Sequence, residues 1–253
     1  MIYPSREEFR KLSSEGGIIP VYREIPADLE TPVSAFIKLR GKGCSFLLES
    51  VERGEQLGRY SFLGIDTPIL LKFNEGKASF NKGGRLVTES ADGKDPLNYL
   101  KELLLGYRRV HIAGLPRFWG GAVGYLSYEV VRFFEKLPSI KPDEMKLPEA
   151  VFLLTDNLII FDHVMQKMQI VSTAFPDGDA DKRYEESIKK IETIISSLKK
   201  PLEIPAEHSA SMESFAADSN FTREEFERAV EKAKEYIEAG DAFQIVVSQR
   251  LKR

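Results

Sequence analysis

The stretch that decides the architecture runs Gly240, Asp241, Ala242, Phe243, Gln244, Ile245, Val246, Val247, Ser248, Gln249, Arg250. Its apolar run, Phe243 to Val247, reads as a strand buried on both faces. Such strands lie inside sheets, where every backbone donor and acceptor must be paired. Just upstream the pattern is helical: Thr222 with Glu225 is a capping box, Phe226, Val230, Ala233 and Ile237 form one apolar stripe, and Gly240 stands at the C′ position. One helix and one strand cannot build a core, and the sequence reaches Arg253 before a partner strand appears. The expectation is a complete first domain followed by the opening helix and strand of a second, largely missing one.

Working outward, residues 203–220 read EIPAEHSASMESFAADSN, with four acidic residues and no Lys or Arg, which is the composition of a solvated linker. The expected organisation is therefore a first domain over 1–202, a linker over 203–220, and the start of a second domain over 221–253. Within the first domain, Ser5 with Glu8 opens a short helix, and Thr31 with Pro32 opens another that ends at Gly41. Strand patterns follow at Cys44–Ser50, Tyr60–Ile65, Ile69–Asn74, Lys77–Asn81 and Arg85–Glu89, separated by glycine turns, and read as a meander of antiparallel hairpins. Asp95-Pro96 caps a helix with Leu97, Leu100, Leu103 and Leu104 at helical spacing. Strands resume near Trp119, at Val151–Leu154, Leu158–Phe161 and Met168–Ser172, before a closing helix over about 181–199. Hairpin runs with helices between them predict an α+β fold of antiparallel sheets with helices.

With 42% hydrophobic and 30% charged residues, 253 residues suffice for one large domain or one and a half smaller ones. A net charge of -3 leaves no electrostatic footprint for nucleic acid or an anionic membrane, so a small-molecule partner is expected. The N-terminus lacks an apolar h-region, and Thr155, Asp156 and Asn157 interrupt the most apolar stretch, so the expected location is the cytoplasm. A single cysteine, Cys44, excludes an internal disulfide; at the start of an apolar strand it reads as a small buried hydrophobe.

Few residues carry chemistry. His111, His163 and His208 are scattered without metal-ligand spacing. Gly120-Gly121-Ala122-Val123-Gly124 is followed by Tyr125 rather than a Lys-Ser/Thr pair, so its glycines read as places where backbones approach closely rather than as a phosphate loop. Leu47-Leu48-Glu49-Ser50 is more informative. Period-2 alternation puts Glu49 with Leu47 and Ser50 with Leu48, so a polar group points among apolar neighbours. Two readings stand: Glu49 pairs with Arg59 across a hairpin, or a carboxylate, a hydroxyl and leucine walls receive a free hydrophobic amino acid.

Taken together, LLES (47–50), GRYSFLG (58–64), FWGGAVGYLSYE (118–129), NLIIFDH (157–163) and AGDAFQIVVSQR (239–250) resemble the large subunits, component I, of anthranilate synthases, within the chorismate-utilising enzymes. The resemblance runs in order over nearly the whole chain. It implies a lyase of tryptophan biosynthesis that adds ammonia to chorismate and eliminates pyruvate. Mg²⁺ and the catalytic residues would be held by residues beyond Arg253, so these residues alone are expected to be inactive. It further implies a glutamine amidotransferase subunit, component II, in a hetero-oligomer, because this chain contains nothing for a Cys-His-Glu triad. Gln244 is implied as an active-site pocket residue whose neutral amide is not a general base. Leu48, Glu49, Ser50 and Arg59 are implied to line a feedback site for L-tryptophan, acting allosterically at a domain seam.

Two other readings stay open. Aminodeoxychorismate synthase component I, of folate synthesis, shares the architecture but retains the pyruvyl group. A stand-alone amino-acid-binding module would need no catalysis, although the apolar run Phe243 to Val247 would then be an exposed edge inviting aggregation.

Overall fold

The computed structural model describes residues 1–49, 58–82, 85–106, 108–137, 145–203 and 217–252. The chain divides into two compact units, Met1–Ile204 and Pro205–Arg253. In chain order the first unit has β1 (Ile2–Tyr3), α1 (Arg6–Ser14), β2 (Ile19–Pro26), α2 (Pro32–Leu39), β3 (Cys44–Leu48), β4 (Tyr60–Thr67), β5 (Ile69–Asn74), β6 (Lys77–Lys82) and β7 (Arg85–Ser90). It continues with α3 (Pro96–Leu105), β8 (Gly121–Leu126), a 3₁₀ helix (Tyr128–Phe133), β9 (Ala150–Thr155), β10 (Asn157–Asp162), β11 (Lys167–Ala174) and α4 (Ala180–Leu198). The second unit holds β12 (Asp218–Ser219), α5 (Arg223–Glu238) and β13 (Leu251–Lys252). All strand pairs named below are antiparallel, and the fold is α+β as expected.

The helices begin where side chains satisfy their unpaired amides. Ser5 Oγ accepts from Glu8 N while Glu8 Oε2 accepts from Ser5 N at 2.8 Å. Thr31 Oγ1 accepts from Ser34 N at 3.0 Å with Pro32 in the first turn, and Asp95 Oδ1 accepts from Leu97 N and Asn98 N, both at 2.9 Å. In the second unit Thr222 and Glu225 complete the capping box, and Gly240 closes α5 with φ +81°, the left-handed geometry that favours glycine.

The first unit contains two sheets. One has six strands in the order β1-β2-β11-β10-β4-β3; the other has five in the order β7-β6-β5-β9-β8. On one face of the six-stranded sheet, Phe9, Ala35, Tyr184, Ile191 and Ile195 from α1, α2 and α4 pack on Ile19, Leu63, Phe161 and Ile170. The opposite face carries Tyr22, Leu158, Ile160 and Val171 under Trp119, with Phe46, Tyr60, Phe62 and Phe118 against them. In the second sheet, Leu71, Phe73, Ala78 and Phe152 are closed by Tyr99 of α3. Each such fully buried aliphatic or aromatic side chain contributes about 1.5–3 kcal/mol, so these faces, rather than the surface ion pairs, hold the sheets together.

Four expectations are corrected. The hairpin run is not one meander: the chain passes at Pro68 from β4, which pairs with β10, to β5, which pairs with β9. Strand β2 is long and internal, although no alternation announces it. Cys44 opens β3 but is exposed, because β3 is an edge strand. Phe243 to Val247 lies outside every strand, with Phe243 96% and Val246 80% exposed. Among the described residues it has no ladder neighbour, and an apolar run without one cannot be a buried strand. The pairing in that unit is instead β12 with β13, joining Asp218 to Lys252 and Ser219 to Leu251. No helix among the described residues is long and apolar enough to cross a membrane.

Candidate functional site

Strand β3 runs along the edge of the six-stranded sheet, and β4 is its neighbour there. Leu47 lies opposite Leu63 and packs toward the helical face; Phe46 lies opposite Gly64 and packs toward the aromatic face. Leu48, opposite Phe62, is the last ladder residue and is 44% exposed. Glu49 follows just past the strand and is exposed, and Ser50 lies outside the described residues. The end of β3 therefore presents Leu48 opposite Phe62, which meets Phe118 edge to face at 5.2 Å, with the exposed Glu49 next along the chain.

Arg59 does not pair with Glu49. Its Nε donates to Asp162 Oδ1 at 3.1 Å and its Nη2 to Asp162 Oδ2 at 2.7 Å, the two-pronged geometry that a carboxylate and a guanidinium share. Its Cζ sits 5.0 Å from the Tyr60 ring centroid. Asp162 ends β10 with its side chain only 4% exposed, and its Oδ1 also accepts from Val164 N at 3.2 Å and Met165 N at 3.1 Å, turning the chain into β11. Burial alone would push the Asp162 carboxyl up; the bonds from Arg59 and from the two amides outweigh it and hold the carboxyl below its ordinary value. The same pairing raises Arg59. His163 N donates to Arg59 O at 2.9 Å, and Ser61 Oγ lies 2.8 Å from His163 Nε2. Sequence reasoning missed Asp162 as the partner, although a carboxylate ending the apolar run of NLIIFDH signals a buried charge in need of a cation.

The other candidates sort by geometry. Gln244 is exposed in the stretch after α5 that belongs to no helix or strand. Gly124 is a close-approach glycine, since a Cβ there would overlap the carbonyl oxygen of Val151. His208 lies outside the described residues. Among the described residues no group of three or more His, Cys, Asp or Glu side chains is placed to hold a metal ion.

Comparison with known proteins adds the family. The model of the chorismate binding enzymes matches residues 51–253. Anthranilate synthase component 1 of Acetivibrio thermocellus is 36% identical over 99% of this chain and 51% of its own length. That of Aquifex aeolicus is 38% identical over 98% and 50%, and that of Thermus thermophilus 39% over 92% and 47%. The crystal structure of anthranilate synthase component I from Streptococcus pneumoniae TIGR4 superimposes with a TM-score of 0.54 at 26% identity, covering 90% of this chain and 48% of that one. The chain spans about half the length of the relatives it matches. With the family model matched over most of its residues, this chain belongs to the chorismate binding enzymes.

Proposed function

We propose that these residues are part of the component I of an anthranilate synthase. The observation that carries this reading is the identity of 36–39% to proteins of that name across 92–99% of the chain. In the proposed reaction ammonia attacks the chorismate ring, the ring hydroxyl leaves as water, and the enolpyruvyl group is eliminated as pyruvate to leave anthranilate. A glutaminase partner supplies the ammonia. Gln244 serves as a pocket residue: an amide neither takes nor gives a proton near neutral pH, and ammonia attacks without being deprotonated.

The end of β3 is proposed as the L-tryptophan feedback site, with Leu48 as an apolar wall, Glu49 for the ammonium and Ser50 for the polar end. Support comes from the exposed Leu48 opposite Phe62 at the strand end and from the exposed Glu49 next to it in the chain. Arg59 is left out of this set, because its guanidinium is already engaged by Asp162.

The test is to supply the full-length protein with chorismate, ammonia and Mg²⁺ and to follow anthranilate fluorescence together with pyruvate. Equal amounts of both are expected. An aminated product that retains the pyruvyl group, with no pyruvate released, would overturn the assignment in favour of an aminodeoxychorismate synthase.

A further inference from the structure

The NLIIFDH stretch opens β10 with a polar residue that the proposed activity does not use. Asn157 shares a sheet face with Ile159, which belongs to the core under the helices. It lines a cleft of about 370 Å³ bounded by the end of α2, by β4, by β10 and by α4. Leu39, Ile65, Ile159 and Ile194 supply the apolar walls. Asn157 Oδ1 is buried without a hydrogen-bond partner among the described residues. The same is true of Oγ of Ser172, which is fully buried directly opposite in β11. An unpaired buried acceptor is costly, and one on the wall of a cleft has room to meet a donor from outside the chain.

Charge at the cleft narrows the class of molecule that brings this donor. Lys190 is engaged by Asp156 at 3.6 Å, and Asp66 Oδ1 accepts from Gly43 N at 2.8 Å. The exposed Lys189, by contrast, has no carboxylate partner among the described residues. One free ammonium thus lines the cleft together with aliphatic walls and one open acceptor. Mostly apolar walls with a few polar groups, in a cavity of this volume, are the features of a small-molecule site.

We propose that this cleft binds a small apolar carboxylic acid that also carries a hydrogen-bond donor. Lys189 takes the carboxylate, the aliphatic walls take the apolar body, and Asn157 Oδ1 accepts from a hydroxyl or an ammonium. The site shares no residue with the end of β3, so it stands or falls apart from the feedback reading.

The experiment titrates the full-length protein calorimetrically with three probes of one skeleton. Phenyllactate offers a hydroxyl donor, phenylalanine an ammonium, and phenylpropionate neither. At least one donor-bearing probe is expected to bind about tenfold more tightly than phenylpropionate, and the tighter of the two identifies the donor. Lys189→Gln, an exposed substitution that leaves the core intact, is expected to weaken that probe by about tenfold. Asn157→Leu is expected to erase the preference over phenylpropionate, because the acceptor is gone while the walls remain. Ile194→Trp fills the cleft and is expected to abolish binding of all three. Absence of saturable binding at millimolar probe overturns the proposal, as do equal affinities for the three probes. Binding that survives Ile194→Trp lies elsewhere on the protein and also overturns it. Should either core variant fail to fold, Lys189→Gln decides, and an affinity it leaves unchanged overturns the assignment.

Discussion

The ammonium of Lys38 donates to the main-chain carbonyl of Leu198 at 3.1 Å, so a residue in the last turn of α2 caps the last turn of α4, 160 positions away. Its other partner is Glu30, and the two side chains are only 12% and 13% exposed. A cation at a helix C-terminus meets both the free carbonyls and the negative end of the macrodipole. Removing one member of a shielded pair leaves the other charge uncompensated, which is worse than removing both. We predict that Lys38→Met costs about 3 kcal/mol in urea unfolding and that Lys38→Met with Glu30→Gln recovers part of it. Equal losses in the single and double variants would show that Glu30 is sufficiently hydrated to stand alone.

Two glycines in strands separate a rigid obstruction from a yielding one. At Gly124 of β8 an added Cβ would overlap the Val151 carbonyl oxygen and lie 2.7 Å from Phe152 Cα, both backbone atoms of β9. At Gly64 of β4 it would overlap Phe46 Cε1, a ring atom on the edge strand. Backbone in a paired strand cannot shift without breaking ladder bonds, whereas a ring can rotate. Gly124→Ala is therefore predicted to cost about 3 kcal/mol, at the upper end of overpacking penalties, and Gly64→Ala about 1 kcal/mol. Denaturant midpoints would reveal a reversed order, which would mean that β8 moves more readily than Phe46.

Glu149, just before β9, has a buried Oε2 with no hydrogen-bond partner. Burial pushes its carboxyl up; a bond from the Glu75 backbone opposes this, and the charges of Glu75 and Glu129 add to the rise. Because the folded protein holds this proton more tightly than the unfolded chain does, stability falls as pH rises from the unfolded value near 4.3 through the raised folded value. At neutral pH the ionised group is a net cost. Glu149→Gln is predicted to be more stable than the unmodified protein at pH 7, with the difference shrinking toward pH 4. A difference independent of pH would assign the gain to packing instead of ionisation.

Asp162 has the opposite sign. Its folded value lies below the unfolded one, so the stability it supplies is present above about pH 3.9 and is lost as pH falls through the lowered value. Asp162→Asn is expected to lower stability at pH 7 and to flatten the acid limb of the stability profile. An acid limb as steep as before would place the responsible carboxylate elsewhere.

The capped helices were readable because each start signal is local: Ser5, Thr31, Asp95 and Thr222 all cap where their spacing to the first-turn amides predicted. Sheet membership was not local. Nothing in the turn residues around Pro68 says that β4 finds β10 and β5 finds β9, partners far away in the sequence, such as Gly64 with Leu158 and Phe73 with Ala150. Strand β2 was hidden because Pro20 and Pro26 bracket it and its first half is buried throughout, so it shows no alternation. The prolines are tolerated because β1 pairs only with Tyr22 and Arg23, which leaves the flanks of β2 without a second ladder. At the candidate site the partner of Arg59 was not legible: the sequence offers the nearby Glu49, whereas Asp162, which holds the guanidinium, lies 103 positions downstream.

Ser50→Phe tests the feedback site most directly. If Ser50 meets the polar end of L-tryptophan, a benzyl group in its place removes a hydroxyl and fills the volume the effector needs, and overfilling a packed site costs about 1–3 kcal/mol. That range corresponds to roughly a fivefold to hundredfold rise in the half-inhibiting concentration, measured on the full-length protein against the variant's own uninhibited rate. Ser50→Ala removes the hydroxyl without adding bulk and is expected to fall between the two curves. If Ser50→Phe leaves the inhibition curve unmoved, the serine does not line the effector site, and the proposal contracts to Leu48 and Glu49.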